Sequence, residues 1–451
     1  MPDNPIVLIH GYSDKGKSFS RWKGLLKEFG YDQDEIKTIN TCNYATLTNE
    51  VTLKDIAEGF DRALRVQAAL AKDEPFDAIV HSTGMLLIRA WLTAYPERRK
   101  RLKRLIGLAP ATFGSPLAHK GRSWLGAIFK GSKVIGPDFL EAGDKVLDAL
   151  ELASPFTWHL AHQDMLGEDT FYGPTKSTPY VFIFCGTDGY GGLLKLVNEP
   201  GADGTVRWAG CSFTTRKISL DLTMDQTVPE AQRYKVETWT HVDSPFVPIA
   251  GLNHGTILSN PTDELVDLVG SALNVSSRAK FTQWMADAAK KTLAEQKKLD
   301  QWQQFIIRVV DERGDPIPDY NIQILTEIKG KLERVKEFDK DVHPYSGDHS
   351  LRCFHVNLSN LDPANLTTLK MQLIASSGSD LVGYHGYGSE KTDEAMLKVN
   401  KRGKWDAKID ISKLLKNEIT FFYPFTTTLV EIKLNREPLP LVGRNDVCWF
   451  D

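Results

Sequence analysis

Over roughly the first 275 residues, short apolar runs alternate with stretches whose apolar residues recur at helical spacing. This is the rhythm of a mostly parallel sheet covered by helices. Strands are predicted at residues 5–9 (PIVLI), 35–40 (EIKTIN), 76–80 (FDAIV), 104–109 (RLIGLA) and 180–185 (YVFIFC). Helices are predicted at 53–71 and at 85–95, the second strongly apolar and ending before Pro96. The rhythm breaks over 114–178, where apolar stretches such as WLGAIF at 124–129 suggest a helical insertion serving as a lid. Residues 276–304 read as one long amphipathic connecting helix. Beyond it, FIIRVV, YNIQILTEI, CFHVNL, KMQLIA and LVEIKL are separated by Gly, Asp, Asn and Pro turns, which predicts an antiparallel β-sandwich over 305–451.

A chain of 451 residues exceeds what one core usually organises, consistent with a two-domain α/β plus β-sandwich plan. Hydrophobic residues are 41% and charged residues 25%, which is globular usage. A net charge of −3 gives no electrostatic reason to expect nucleic acid. No run reaches the roughly 20 apolar residues of a membrane span. The first strand begins too early for a leader, so a cytoplasmic location is expected, although leaderless export would look the same. The cysteines, at 42, 185, 211, 353 and 448, are odd in number and lack CxxC spacing, so they read as buried small apolar residues.

Strand FDAIV runs directly into His81, Ser82, Thr83 and Gly84 and then into the apolar helix. Ser82 therefore sits on a strand-to-helix turn, the setting of a nucleophile elbow, with Val80 where G-x-S-x-G has its first glycine. A serine in that position can instead be a helix N-cap. A nucleophilic serine needs an imidazole to take its proton, and His254, in the Gly/Asn-rich loop GLNHGTILSNP, is placed late in the chain as the order Ser, acid, His requires. His241 competes from a charged strand-like stretch. Two aspartates in turns are candidates for the acid, Asp188 in CGTDGYGG and Asp203 in GADGTVRWAG, and position alone does not separate them. The backbone amides of Thr83 and Tyr12 are placed to form an oxyanion hole, with His10 and His81 as positioning residues.

IHGY at 9–12, HSTG at 81–84, APATFGSPLA at 109–118, DGTV at 203–206 and NHG at 253–255 together resemble the lipase and esterase branch of the α/β-hydrolase superfamily, bacterial-type. The resemblance covers the first 275 residues, and Val80 departs from it. It implies a serine carboxylic ester hydrolase without a cofactor or metal. The likeness of DGTV to the segment carrying the acid favours Asp203 over Asp188. The apolar insertion and the GSP segment imply a lipid or other ester substrate, with transient lipid-surface contact. No feature specifies an oligomeric state.

Two rival functions remain at this level. Gly11 to Ser18 spells G-x-x-x-x-G-K-[ST] after a strand, the pattern of a P-loop nucleotide triphosphatase, yet FDAIVHS and RLIGLAP lack the carboxylate that would hold Mg²⁺. A non-catalytic binding protein on the hydrolase scaffold is the other. The basic run ERRKRLKR at 97–104 is expected to offset a helix dipole in solvent, or to meet anionic headgroups. GYGG at 189–192 reads as a flexible loop, and His343, His349, His355 and His385 lack ligand spacing.

Overall fold

The computed structural model describes residues 3–10, 18–39, 50–67, 70, 73–119, 144–169, 171–173, 177–238, 246–361, 366, 368–387, 404–412, 414, 421–441 and 443–449. The chain divides into two compact units, one of residues 1–215 and 239–300, the other of residues 216–238 and 301–451.

The first unit is built on a six-stranded sheet. Its strands are β1 (Ile6–Ile9), β2 (Ile36–Ile39), β3 (Phe76–His81), β4 (Leu102–Leu108) and β5 (Tyr180–Gly186); β6 (Thr215–Asp221) and β7 (Tyr234–Thr238) pair elsewhere, and β8 (Phe246–Ile249) completes it. The order is β2-β1-β3-β4-β5-β8, every pairing parallel. Strands buried on both faces carry continuous apolar runs, as IVLI and FDAIV do. Among the helices, α1 (Ser20–Glu28) and α2 (Leu53–Val66) precede β3, and α2 opens on a capping box between Thr52 and Asp55. Helix α3 (Gly84–Ala94) is buried from Gly84 to Leu92 and, apart from Arg89, carries apolar residues all round over that stretch.

Of the expected insertion, Pro116–His119, Asp144–Leu150 and α4 (Pro155–Asp164) are helical, and WLGAIF lies outside the described residues. Helix α4 is tied to α3 by a fully buried ion pair, Arg89 Nε and Nη2 to Asp164 at 2.7 and 2.9 Å. After β8 come α5 (Asp263–Leu273) and α6 (Arg278–Gln296). The expected connector at 276–304 has a different role. Phe281 and Trp284 of α6 pack edge-on against Phe182, and Trp284 also meets Phe184, so this helix covers β5 and ends at Gln296.

Three arginines of the basic run at 97–104 are likewise tied into the fold, while Lys100 stays exposed. Arg98 donates to Asp61, Arg101 to the carbonyls of Leu70 and Glu74, and Arg104 to Asp77. A buried carboxylate needs such partners, and the cations supply them.

The second unit contains β6, β7, β9 (Trp302–Asp311), β10 (Tyr320–Ile328), β11 (Lys331–Arg334), β12 (Val342–Pro344), β13 (Leu351–Asn357), β14 (Lys370–Ser376), β15 (Val382–His385), β16 (Lys404–Asp410) and β17 (Thr427–Pro438). One sheet runs β11-β10-β14-β16, and the other β12-β13-β9-β17-β6-β7. Alternate residues of both, including Phe305, Ile307, Ile322, Ile324, Leu373 and Ile432, form one core. Two features differ from the sequence expectation. The stretch expected as one domain over 1–275 is not continuous, because Ile218 and Leu220 of β6 belong to this core. Nor is the sandwich wholly antiparallel: β9 and β17 run parallel, Ile307 opposite Val430, which their long separation in sequence permits.

Candidate active site

Strand β3 ends at His81, and Ser82 follows with φ at +53°. A non-glycine residue there costs of order 1–3 kcal/mol and persists only where its surroundings over-determine it. They do so here. The Ser82 carbonyl accepts from the amides of Ala111 at 3.0 Å and Met85 at 3.2 Å, and its amide donates to the Leu108 carbonyl at 3.4 Å. The N-cap of α3 is Thr83, without a side-chain capping bond, so Ser82 is not the cap. Its Oγ is left free to face His254.

The turn is tight enough to require glycine at position 84, where a Cβ would stand 2.5 Å from the Ile9 carbonyl oxygen. The valine at 80 is accommodated by its neighbour. Val80 lies opposite Gly107 of β4, where a side chain would meet Met85 of α3 at 2.9 Å. Room usually provided within the elbow is thus provided on the adjacent strand.

Asp203 lies in a turn where Gly204, at φ +99°, curls the backbone so that the amides of Thr205 and Val206 donate to Asp203 Oδ1 at 3.0 and 2.8 Å. The other oxygen, Oδ2, is 2.9 Å from His254 Nδ1, and His254 Nε2 is 3.1 Å from Ser82 Oγ. Asp203 is fully buried, which strengthens its attraction for a charged imidazole. The segment GSP supports the same turn, since Ser115 Oγ donates to the Thr205 carbonyl at 2.6 Å.

The loop carrying His254 is shaped by Asn253, whose Oδ1 accepts from the amides of Gly255 at 3.0 Å and Thr256 at 2.9 Å. The backbone of His254 is held at both ends. Its amide donates to the Asp203 carbonyl at 3.0 Å, and its carbonyl is 3.0 Å from His81 Nε2. Burial, then the neighbouring His254, pushes His81 well below the ordinary histidine value, so it stays neutral and donates through Nε2–H.

The structure therefore brings Ser82, His254 and Asp203 together. Asp188 is exposed, with Thr187 Oγ1 donating to its carboxylate at 3.2 Å, and it makes no bond to His254 among the described residues. Thr83 stands at the N-terminus of α3. Tyr12, His241 and residues 11–17 of the P-loop pattern lie outside the described residues. Cys185 and Cys211 are buried, as expected of small apolar residues, and in addition Cys185 Sγ lies 3.7 Å from Asp203 Oδ2, with Cys211 Sγ 3.3 Å from Cys185 Sγ. Among the described residues no group of His, Cys, Asp or Glu is arranged to hold a metal ion, and no helix is long and apolar enough to cross a membrane.

The parallel sheet, the strained serine turn and the order of the three residues define the α/β-hydrolase fold. Among solved structures the chain is similar to phospholipase PlaB from Legionella pneumophila, at 22% identity and a TM-score of 0.76, covering 99% of this chain and 97% of that one. PlaB in complex with thio-NAD gives the same values. The mature lipase BlEst2 from Bacillus licheniformis overlaps 60% of this chain and 94% of its own, at 16% identity and a TM-score of 0.36. No protein-family model and no curated protein matches the sequence.

Proposed function

We propose that the protein is a carboxylic ester hydrolase that acts through Ser82, His254 and Asp203 and takes lipid esters, glycerophospholipids among them. The observation that carries this reading is the continuous relay from Ser82 Oγ to His254 Nε2 at 3.1 Å and from His254 Nδ1 to Asp203 Oδ2 at 2.9 Å, with Ser82 held at φ +53°. His254 removes the Ser82 proton as Oγ attacks the ester carbonyl, and then returns it to the leaving alcohol. Water, deprotonated by the same imidazole, cleaves the acyl-enzyme. Asp203 holds the imidazole in the tautomer with hydrogen on Nδ1 and stabilises its charged form. The Thr83 amide, with that of Tyr12, binds the developing oxyanion.

Lipid preference is supported by the apolar insertion after β4 and, by analogy of fold, by the phospholipase likeness. The test is a panel of p-nitrophenyl esters of increasing acyl length, with phosphatidylcholine vesicles, run beside Ser82→Ala. Wild-type protein is expected to release fatty acid from the vesicles, and Ser82→Ala to lose a factor on the order of 10⁴ or more. Equal rates for the two proteins would end the proposal. Turnover confined to short soluble esters would end its lipid part.

A further inference from the structure

Asp203 Oδ2 has a second neighbour besides His254. Cys185, the penultimate residue of β5, places Sγ 3.7 Å from that oxygen, and its other sulfur contact is Cys211 Sγ at 3.3 Å. All three side chains are fully buried, so water does not compete for the carboxylate. The two backbone amides occupy Oδ1, which leaves Oδ2 to the imidazole and the thiol. From this arrangement we infer that Cys185 is a positioning residue, its S–H donating to Asp203 Oδ2 and so setting how strongly Asp203 holds His254. The inference rests on the ester-hydrolase reading for its catalytic consequence, and on geometry alone for the contact.

The thiol suits the role. An S–H is a weak donor, so it shares Oδ2 with the imidazole without displacing it. Burial pushes both Cys185 and Cys211 up, Cys185 well above the ordinary thiol value, so the hydrogen that the contact needs is retained at neutral pH. Neither sulfur is then a thiolate that would repel the carboxylate. Besides these thiols, the titratable groups around the relay among the described residues include Tyr190, near Asp203, and His81, whose ring centroid lies 4.6 Å from that of His254 and which has His10 as a further neighbour. Burial holds Tyr190 protonated and His81 neutral, so neither of these two supplies a competing charge.

Removing the donor leaves more of the carboxylate's charge directed at His254. Cys185→Ala, and Cys185→Val where volume must be kept for folding, are therefore expected to move the acid limb of kcat/KM up by about 0.5 pH unit. They are also expected to raise kcat about threefold with little change in KM, because the imidazolium formed in the transition state is then held more strongly, on the scale of one weak hydrogen bond. The low-field Nδ1–H proton resonance of His254 is expected to move further downfield. Cys211→Ala and Cys211→Val, which remove the same groups one side chain further from Asp203, serve as packing controls and are expected to move both readouts less. An acid limb and resonance unmoved in the Cys185 variants, or moved equally by the Cys211 variants, would overturn the inference. The resonance is read whether or not the protein turns over esters. A shifted resonance in a protein without esterase activity would therefore uphold the contact and refute the hydrolase reading.

Discussion

Replacing Arg89 by methionine tests how the insertion and the helix behind Ser82 are held together. Arg89 and Asp164 are both fully buried, with Nε and Nη2 of the arginine on the carboxylate at 2.7 and 2.9 Å. The same guanidinium donates through Nη1 to the Thr112 carbonyl at 2.6 Å, and Tyr172 donates its hydroxyl to Asp164 at 2.6 Å. Arg89→Met leaves a carboxylate in a dry site with one donor where it had three. Breaking a buried pair in this way costs about 3–5 kcal/mol, which for a unit of this size lowers Tm by roughly 10 °C. Calorimetry reads that shift in the unfolding transition of the first unit. Replacing both partners, as Arg89→Met with Asp164→Leu, removes the stranded charge and is expected to regain most of the loss. A drop of less than about 3 °C for Arg89→Met, or a double variant that falls by the sum of the single ones, would refute this reasoning.

Three further outcomes follow from the geometry. Asp203→Asn is expected to lower kcat by a factor on the order of 10⁴ through the wrong imidazole tautomer, and Asp188→Asn to leave it within about twofold; steady-state kinetics on one soluble ester decides, and the reverse ranking would move the acid. Gly84→Ala drives a methyl to within 2.5 Å of the Ile9 carbonyl oxygen, so the turn must open; the expected result is a fall in Ser82 labelling by a fluorophosphonate together with a lower Tm, and an unaffected labelling rate would contradict it. Asp77, buried beside Arg104, has its carboxyl pushed from 3.8 up to about 6, chiefly by desolvation, with Arg104 pulling the other way. The fold therefore favours the protonated form, and stability present below pH 4 is lost as pH rises through 6, by roughly 3 kcal/mol. Relative to Asp77→Asn, wild-type protein is expected to weaken in urea between pH 4.5 and 7, and a constant gap would refute the sign.

The strands of the first unit were legible because each is a short buried run between turns, and IVLI, FDAIV and YVFIFC carry that mark locally. Ser82, Asp203 and His254 were legible because each sits in a turn whose neighbours, Gly84, Gly204 and Asn253, have their own local reasons to be there. Pairing at long range leaves no such mark. Nothing near Ile218 shows that β6 joins a sheet with β17, two hundred residues later. The arginines of 97–104 look solvated in a sequence and find Asp61 and Asp77 only in the fold. Cys185 reads locally as a buried small apolar residue and His81 as a positioning residue, but the partners they find, Asp203 and the His254 carbonyl, depend on where the loops return over the sheet edge.

On the proposed reading, Ser82 is a nucleophile activated by His254. A fluorophosphonate probe followed by mass spectrometry of the digested protein tests it most directly. The predicted result is a single phosphonylated peptide with the adduct on Ser82, formed at least about a hundredfold more slowly in His254→Ala. Absence of the adduct on correctly folded wild-type protein, or equal labelling of His254→Ala, would contradict it.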